Sequence, residues 1–151
     1  MAMNIQIEKM TIEHYEQVVA LWRGFEGVGL SHDDSKENIS RFLSRNPGMS
    51  LVAFDGDCLV GAVLCGHDGR RGYMYHLATK KDYQRQGIGS TLAERGLAAL
   101  KGRGINHCHV FAFSGNREAV KFWEKLGWER FEEVANFISG DIREQLAKFR
   151  R

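Results

Sequence analysis

Proline is nearly missing from this chain: Pro47 stands alone against seventeen glycines in 151 residues. Proline punctuates ordinary loops, whereas glycine supplies positive φ or lets another group approach the backbone, so the imbalance points to a place that needs bare backbone. Cysteine is scarce as well. Cys58, Cys65 and Cys108 are odd in number and form no Cys-x-x-Cys pair, which argues against a disulfide framework or a zinc site. Cys58 and Cys65 fall in strand-like runs where a small buried thiol is ordinary, and no cysteine is expected as a nucleophile. Neither sign of charge dominates: 21 Lys and Arg against 19 Asp and Glu leave +2, so no global field selects nucleic acid or an anionic membrane. The longest near-apolar run, Cys58 to Gly66, is interrupted by glycine and far too short to span a bilayer. Met1 to Ile7 alternates polar and apolar residues without the basic and apolar blocks of a secretory signal, so a cytoplasmic location is expected.

What is present suits one compact core. With 43% hydrophobic residues, the chain is expected to form a single domain over 1–151. Ile5 and Ile7 with polar neighbours predict a first strand, and Thr11 caps a helix carrying Tyr15, Val18, Val19 and Trp22. A glycine-rich break follows, and Asp33, Asp34 or Ser35 caps a second helix bearing Ile39, Phe42 and Leu43. Asn46-Pro47-Gly48 turns into Leu51–Phe54, Asp55-Gly56-Asp57 and Leu59–Leu64, a β-hairpin. His67–Gly72 reads as a polar loop and Tyr73–Thr79 as a fourth strand. Ile88 to about Arg103 has helical spacing, and a strand follows from about His107 to Phe113. Ser114-Gly115-Asn116 opens a helix with Ala119, Val120, Phe122, Trp123 and Leu126, stopped by Gly127. Phe131–Ile138 is expected to supply one or two final strands, and Asp141–Arg151 a short amphipathic helix or a fraying tail.

Between the fourth strand and the third long helix lies Gln84-Arg85-Gln86-Gly87-Ile88-Gly89. Unpaired N–H groups and the dipole at a helix start favour an anion such as a pyrophosphate, and glycines let it approach the backbone. A dinucleotide fingerprint would need a glycine at Leu92, and no Gly-Lys-Ser/Thr follows to form an NTPase phosphate loop, so both nucleotide readings fail. The segment resembles instead the acetyl-CoA loop of the GNAT acetyltransferases, Gln/Arg-x-x-Gly-x-Gly/Ala between strand four and the third helix, here Gln84-x-x-Gly87-x-Gly89. A second motif follows in order: Asn116, Ala119, Phe122-Trp123 and Gly127-Trp128 are similar to the family's Asn-x-x-Ala, aromatic pair and Gly-aromatic. The likeness runs from the strand–helix–helix opening to Trp128 and is thinnest after Phe131. His67-Asp68-Gly69-Arg70-Arg71-Gly72 further resembles a His-Asp-Gly-x-Arg-Gly turn before strand four in a bacterial subgroup.

The resemblance implies an α/β fold whose mixed, mostly antiparallel sheet, flanked by helices, splays between strands four and five to admit acetyl-CoA. It implies acetyl-CoA as co-substrate, no metal, no covalent enzyme intermediate, and direct transfer to a primary amine of a small molecule or protein N-terminus. The backbone of Leu77, Ala78 and Thr79 would hold the pantetheine as an added strand, and the amides of Arg85, Gln86, Gly87, Ile88, Gly89 and Ser90 would cradle the pyrophosphate behind Gln84. Leu77 N–H would face the thioester oxygen, where negative charge develops. Asn116 and Trp123 would lie at the cofactor, and Lys80, Lys81, Arg85 or Lys125 would meet the 3′-phosphate.

Two residues depart from the family pattern. Tyr73 stands where some members carry a glutamate that takes the amine proton, and Trp123 where many place a tyrosine acid; an indole N–H does not give up its proton. Strand alternation predicts Tyr73, Tyr75 and Leu77 on one face and Met74, His76 and Ala78 on the other. Tyr75 therefore ranks first as the group orienting the acceptor, with Tyr73 beside it, and His76 second. Glu26, Asp33 and Asp34 would suit a cationic amine, although helix capping is the favoured role for the two aspartates. Asp68, Arg70 and Arg71 read best as a solvated turn. The rival from another class is a non-catalytic acyl-CoA-binding or sensing module, motivated by Trp123 and the absent carboxylate. Nucleic-acid binding through Lys80-Lys81 and Arg70-Arg71 is opposed by the near-neutral charge, no membrane partner is indicated, and the resemblance allows a homodimer.

Overall fold

The computed structural model describes residues 4–25 and 27–150. The chain forms two compact units, Met1–Val120 and Lys121–Arg151. The first holds β1 (Ile5–Lys9), α1 (Tyr15–Arg23), α2 (Lys36–Arg45), β2 (Leu51–Asp55), β3 (Cys58–His67), β4 (Gly72–Thr79), α3 (Ile88–Lys101) and β5 (Cys108–Val110). The five strands lie in sequence order, antiparallel from β1 to β4 with β5 parallel to β4. This is the mixed, mostly antiparallel sheet with flanking helices that the resemblance implies.

Local chemistry sets the boundaries. Thr11 opens a 3-10 turn, Ile12–His14, before α1 begins, and Ser31 opens another, His32–Asp34. Ser35 is the cap of α2, its hydroxyl accepting from Asn38 N–H at 3.2 Å. That releases Asp34 from capping α2. The Asp55-Gly56-Asp57 turn joins β2 to β3 as predicted, although Cys58, at the first position of β3, is exposed rather than buried.

Each face of the sheet carries its own apolar layer. On one side Val18, Val19 and Trp22 of α1 and Ile39 of α2 cluster with Val52, Leu59, Ala62, Leu64 and Ala78. On the other side α3 packs on β2, β3 and β4, burying Ile88, Leu92, Ala93 and Leu100. Gly96 brings α3 so close that a Cβ there would lie 2.6 Å from Met74 Cε, which places Met74 on the α3 side of β4.

α4 (Arg117–Lys125) begins in the first unit and ends in the second, which also contains α5 (Ile142–Ala147), capped by Asp141. Asp141 Oδ1 accepts from Arg143 N–H at 2.8 Å. The strands expected over Phe131–Ile138 do not form among the described residues. The apolar residues there, Phe131, Val134, Phe137 and Ile138, do not alternate with period two, and no ladder partner satisfies their backbone groups. β5 is also shorter than the predicted His107–Phe113, because pairing with β4 ends at Met74 opposite Val110.

Candidate active site

That early end of β5 creates the central feature of the site. β4 continues from Tyr75 to Thr79 paired with β3 alone, so its other edge is open, the splay expected between strands four and five. Lys80 N–H donates to Val60 O at 2.7 Å, which fixes the ladder phase. Amide directions alternate along a strand, so Ala78 and Lys80 point to β3 while Leu77 and Thr79 N–H point to the open edge.

β4 also bulges. Between Ala62↔Ala78 and Leu64↔Tyr75, two steps on β3 oppose three on β4, and His76 takes φ +56, a left-handed conformation uncommon outside glycine. The extra residue overturns the predicted alternation. His76 faces the α1–α2 side with Tyr73 and Tyr75, and Ala78 joins the same layer, leaving Leu77 on the α3 side. Two bonds hold the bulge: Trp22 Nε1–H donates to His76 O at 2.8 Å, and His76 Nε2 meets Asp34 Oδ1 at 2.9 Å. The His76 ring packs edge-on against Trp22, centroids 4.9 Å apart. Burial raises the Asp34 carboxyl pKa, but the His76 hydrogen bond, the Ser31 amide and the His76 charge outweigh it and hold the group below its usual range.

Tyr75 stands T-shaped against Phe42 of α2, and Tyr73 stacks with Tyr75, His109 and Phe111 at centroid distances of 6.1, 5.5 and 6.3 Å. Burial, with Tyr73, Cys108 and Asp68 nearby, holds the Tyr75 phenol above its usual range, so it stays a neutral hydroxyl. His109 Nε2 meets an Arg71 guanidinium nitrogen at 2.8 Å.

After β4 the chain makes a short 3-10 turn, Lys81–Tyr83, pinned by Tyr83 O–H donating to Asp55 Oδ2 at 2.7 Å. Gln84 then reaches back, its Nε2 donating to Thr79 O at 3.0 Å, which ties the loop to the open end of β4. Arg85 (φ +62) and Gly87 (φ +84) both take left-handed backbone, and Gly87 caps the 14-residue α3. Among the described residues, no hydrogen bond engages the backbone N–H of Arg85, Gln86, Gly87, Ile88, Gly89 or Ser90; the first helical amide to find a carbonyl is that of Thr91, on Gly87 O at 2.9 Å. No acidic side chain stands in the first turn of α3. Free amides at a helix start beside a free strand edge fit a diphosphate joined to an extended amide-bearing chain, the chemistry of coenzyme A.

The remaining predicted residues fall as follows. Asn116 caps α4, its Oδ1 accepting from Ala119 N–H at 3.1 Å, with its amide nitrogen beside Gly27. Trp123 belongs to the second unit, where it packs on Phe122 and Trp128 at 5.0 and 4.6 Å. Lys80 and Lys81 are exposed next to the loop, Lys125 lies in the second unit, and Glu26 lies outside the described residues. Asp68 accepts from the amides of Arg70 and Arg71 at 2.8 Å each, closing the β3–β4 turn, and those amides hold its carboxyl below the usual range. Burial lifts the Cys65 thiol to about 12 and Cys108 to about 11, so both are inert at neutral pH. No group of His, Cys, Asp or Glu among the described residues is arranged to hold a metal ion. Sequence reasoning missed the Asp34–His76 pair, the Trp22 anchor and the stacking of Tyr73 on His109 and Phe111. No local signal reveals them: the first two depend on one unpaired residue in β4, the third on the β4–β5 register.

The family model described as "Acetyltransferase (GNAT) family" matches residues 15–128, which include both the loop and the open β4 edge. The chain belongs to the GNAT acetyltransferase family. Among curated relatives of this GNAT protein, the N-alpha-acetyltransferase 30 of Schizosaccharomyces pombe is 34% identical over 113 residues, covering 72% of this chain and 75% of the relative. The acetyltransferase SG1711 of Sodalis glossinidius is 28% identical over 130 residues, 86% of this chain and 91% of the relative. The crystal structure of PaiA N-acetyltransferase from Thermoplasma acidophilum in complex with coenzyme A shares the fold, with a TM-score of 0.72 at 22% identity over 86% of this chain and 92% of that one. No helix among the described residues is long and apolar enough to cross a membrane.

Proposed function

We propose that this GNAT acetyltransferase moves the acetyl group of acetyl-CoA directly to a primary amine of a small molecule or a protein N-terminus. One observation carries the reading: the unengaged amides of Arg85–Ser90 stand next to the unpaired edge of β4, Tyr75–Thr79. The amides bind the diphosphate, and the β4 edge at Leu77–Thr79 accepts the pantetheine as a strand. Bound acetyl-CoA supplies an activated thioester. Leu77 N–H, on the open edge, stabilises the charge that develops on the acyl oxygen; a preorganised donor of this kind is worth about 3–4 kcal/mol in other enzymes. Tyr73, Tyr75 and His76 share the acceptor face and orient the amine or receive its proton. Asn116 contacts the cofactor, and the exposed Lys80, Lys81 or Arg85 meets the 3′-phosphate. The similarity to an N-alpha-acetyltransferase favours a peptide amine among the acceptors. The His67–Gly72 turn supports membership of the bacterial subgroup; a cytoplasmic location and one acetyltransferase domain over 1–151 belong to the same proposal.

Thermal unfolding with acetyl-CoA, and with NADH and ATP as controls, tests the first half of this reading. A ligand at a hundredfold excess over Kd stabilises by about 2.7 kcal/mol, several degrees in a chain of this size. A panel of free-amine peptides, amino acids, small amines and aminoglycosides, read as CoA release, tests the second half. A selective shift with turnover is the expected result. A shift without turnover on any amine establishes the sensing module instead, and no shift at saturating acetyl-CoA overturns both.

A further inference from the structure

We propose that Asp34 and His76 form a dyad in which Asp34 is the positioning residue and His76 Nδ1 is the base that takes the proton of the attacking amine. The inference rests on the acetyl-transfer reading and settles which acceptor-face side chain does this work. A carboxylate accepts hydrogen bonds and donates none, so the 2.9 Å contact with Asp34 Oδ1 requires His76 Nε2 to carry the hydrogen. Asp34 is itself fixed, since its Oδ2 accepts from Ser31 N–H at 3.1 Å and its carbonyl accepts from Tyr15 O–H at 2.7 Å. The ring is therefore locked in the Nε2–H tautomer with a lone pair on Nδ1. Among the described residues Nδ1 has no hydrogen-bond partner, and no unpartnered side-chain nitrogen is fully buried, so Nδ1 of this partly buried ring is not sealed off.

The backbone supports the same conclusion. His76 is held at φ +56, and Trp22, fully buried, clamps both its carbonyl and its ring edge. A strained β-branch-free residue kept in place by a buried tryptophan, on the strand position next to Leu77, is costly unless the ring must be aimed. The titratable groups around it are Asp34, with exposed His32 and Asp33 on the same turn, Tyr15 from α1 and Tyr75 from β4. Of these only Asp34 contacts a ring nitrogen. Tyr75, held as a neutral phenol, is a poor proton acceptor at neutral pH. As the N–C bond forms and the thioester C–S bond breaks, Nδ1 takes one amine proton, and the imidazolium gives it to the departing thiolate or to water. The carboxylate stabilises the transient cation, and the ring returns to its starting tautomer.

Two readouts separate this inference from the reading beneath it. Long-range proton–nitrogen NMR on the wild-type protein assigns the His76 tautomer without any substrate: Nε2–H with bare Nδ1 is expected, and Asp34→Asn and Asp34→Ala shift the ring toward a tautomer mixture. In the acetyl-transfer assay, His76→Gln is expected to lower kcat about 10²-fold or more, the usual reach of a general base. Asp34→Asn lowers kcat about 10-fold or more and moves the acid limb of the kcat/KM profile to lower pH, while acetyl-CoA affinity by calorimetry stays at the wild-type value. Asp34→Glu, which retains a carboxylate, recovers part of the loss. An Nδ1–H tautomer in the wild type, or an acid limb unmoved by Asp34→Asn and His76→Gln in an active enzyme, overturns the dyad. A wild-type protein that does not bind acetyl-CoA overturns the acetyl-transfer reading itself.

Discussion

Replacing Gly87 by alanine tests whether the loop before α3 is built to hold an anion. Gly87 sits at φ +84 and ψ 3, and a Cβ there meets no heavy atom within 4 Å, so the substitution adds backbone strain and no clash inside the protein. An L-residue in left-handed backbone costs about 1–2 kcal/mol, a factor of roughly 5–30 in the population of the loop conformation. Relaxation to negative φ turns the Arg85–Ser90 amides away from one another, so the cost falls on ligand binding as well as on stability. Calorimetry is expected to show the acetyl-CoA Kd raised about 5–30-fold, and urea unfolding a loss of up to about 2 kcal/mol. Gly56→Ala is the matched control. Gly56, in the β2–β3 turn, has φ +59 and equally empty surroundings, so it loses comparable stability and leaves the acetyl-CoA Kd unchanged. Wild-type affinity in Gly87→Ala, or equal weakening by both substitutions, refutes the role of the loop.

Trp22→Phe removes the donor to His76 O from a fully buried side chain and leaves a small cavity; a loss of about 2–4 kcal/mol in urea unfolding is expected, and a loss below about 0.5 would show the clamp is not structural. Because the folded-state pKa of Asp34 is depressed, its contribution is fully present above the unfolded value, near 3.9, and is lost as pH falls through the folded one. The stability gap between wild type and Asp34→Asn should therefore be open at pH 7 and close as pH falls below the unfolded value, as followed by urea midpoints. A disulfide reagent at neutral pH should titrate the exposed Cys58 at once and reach buried Cys65 and half-buried Cys108 only on unfolding; rapid reaction of all three would contradict the packing of α3 on the sheet.

The features legible in the sequence are those set by short-range chemistry. The β2–β3 hairpin follows from Asp-Gly between two short continuous apolar runs, and the order of strands and helices from periodicity and caps. Gln84-x-x-Gly87-x-Gly89 marked the loop of left-handed backbone and unengaged amides before α3, because such backbone is exposed where side chains are small or φ is positive. Ser31 and Ser35, rather than the aspartates beside them, cap the turn and helix, since a serine hydroxyl reaches the amide two or three residues on. The expectation of strands at Phe131–Ile138 lacked both alternation and a ladder partner, and it was not met among the described residues.

What only the tertiary structure decided is the face each β4 side chain presents. Strict alternation sends His76 away from Tyr75, but β3 sets one residue, Val63, against two of β4, His76 and Leu77, and the surplus residue turns His76 to the α1–α2 layer. A one-residue bulge reverses every assignment beyond it, because side-chain direction in a strand repeats with period two. Asp34 and His76, 42 residues apart, meet only through that reversal and through Trp22 closing over it. Local sequence determined where the glycine loop before α3 lies; long-range pairing determined which β4 side chains share a face.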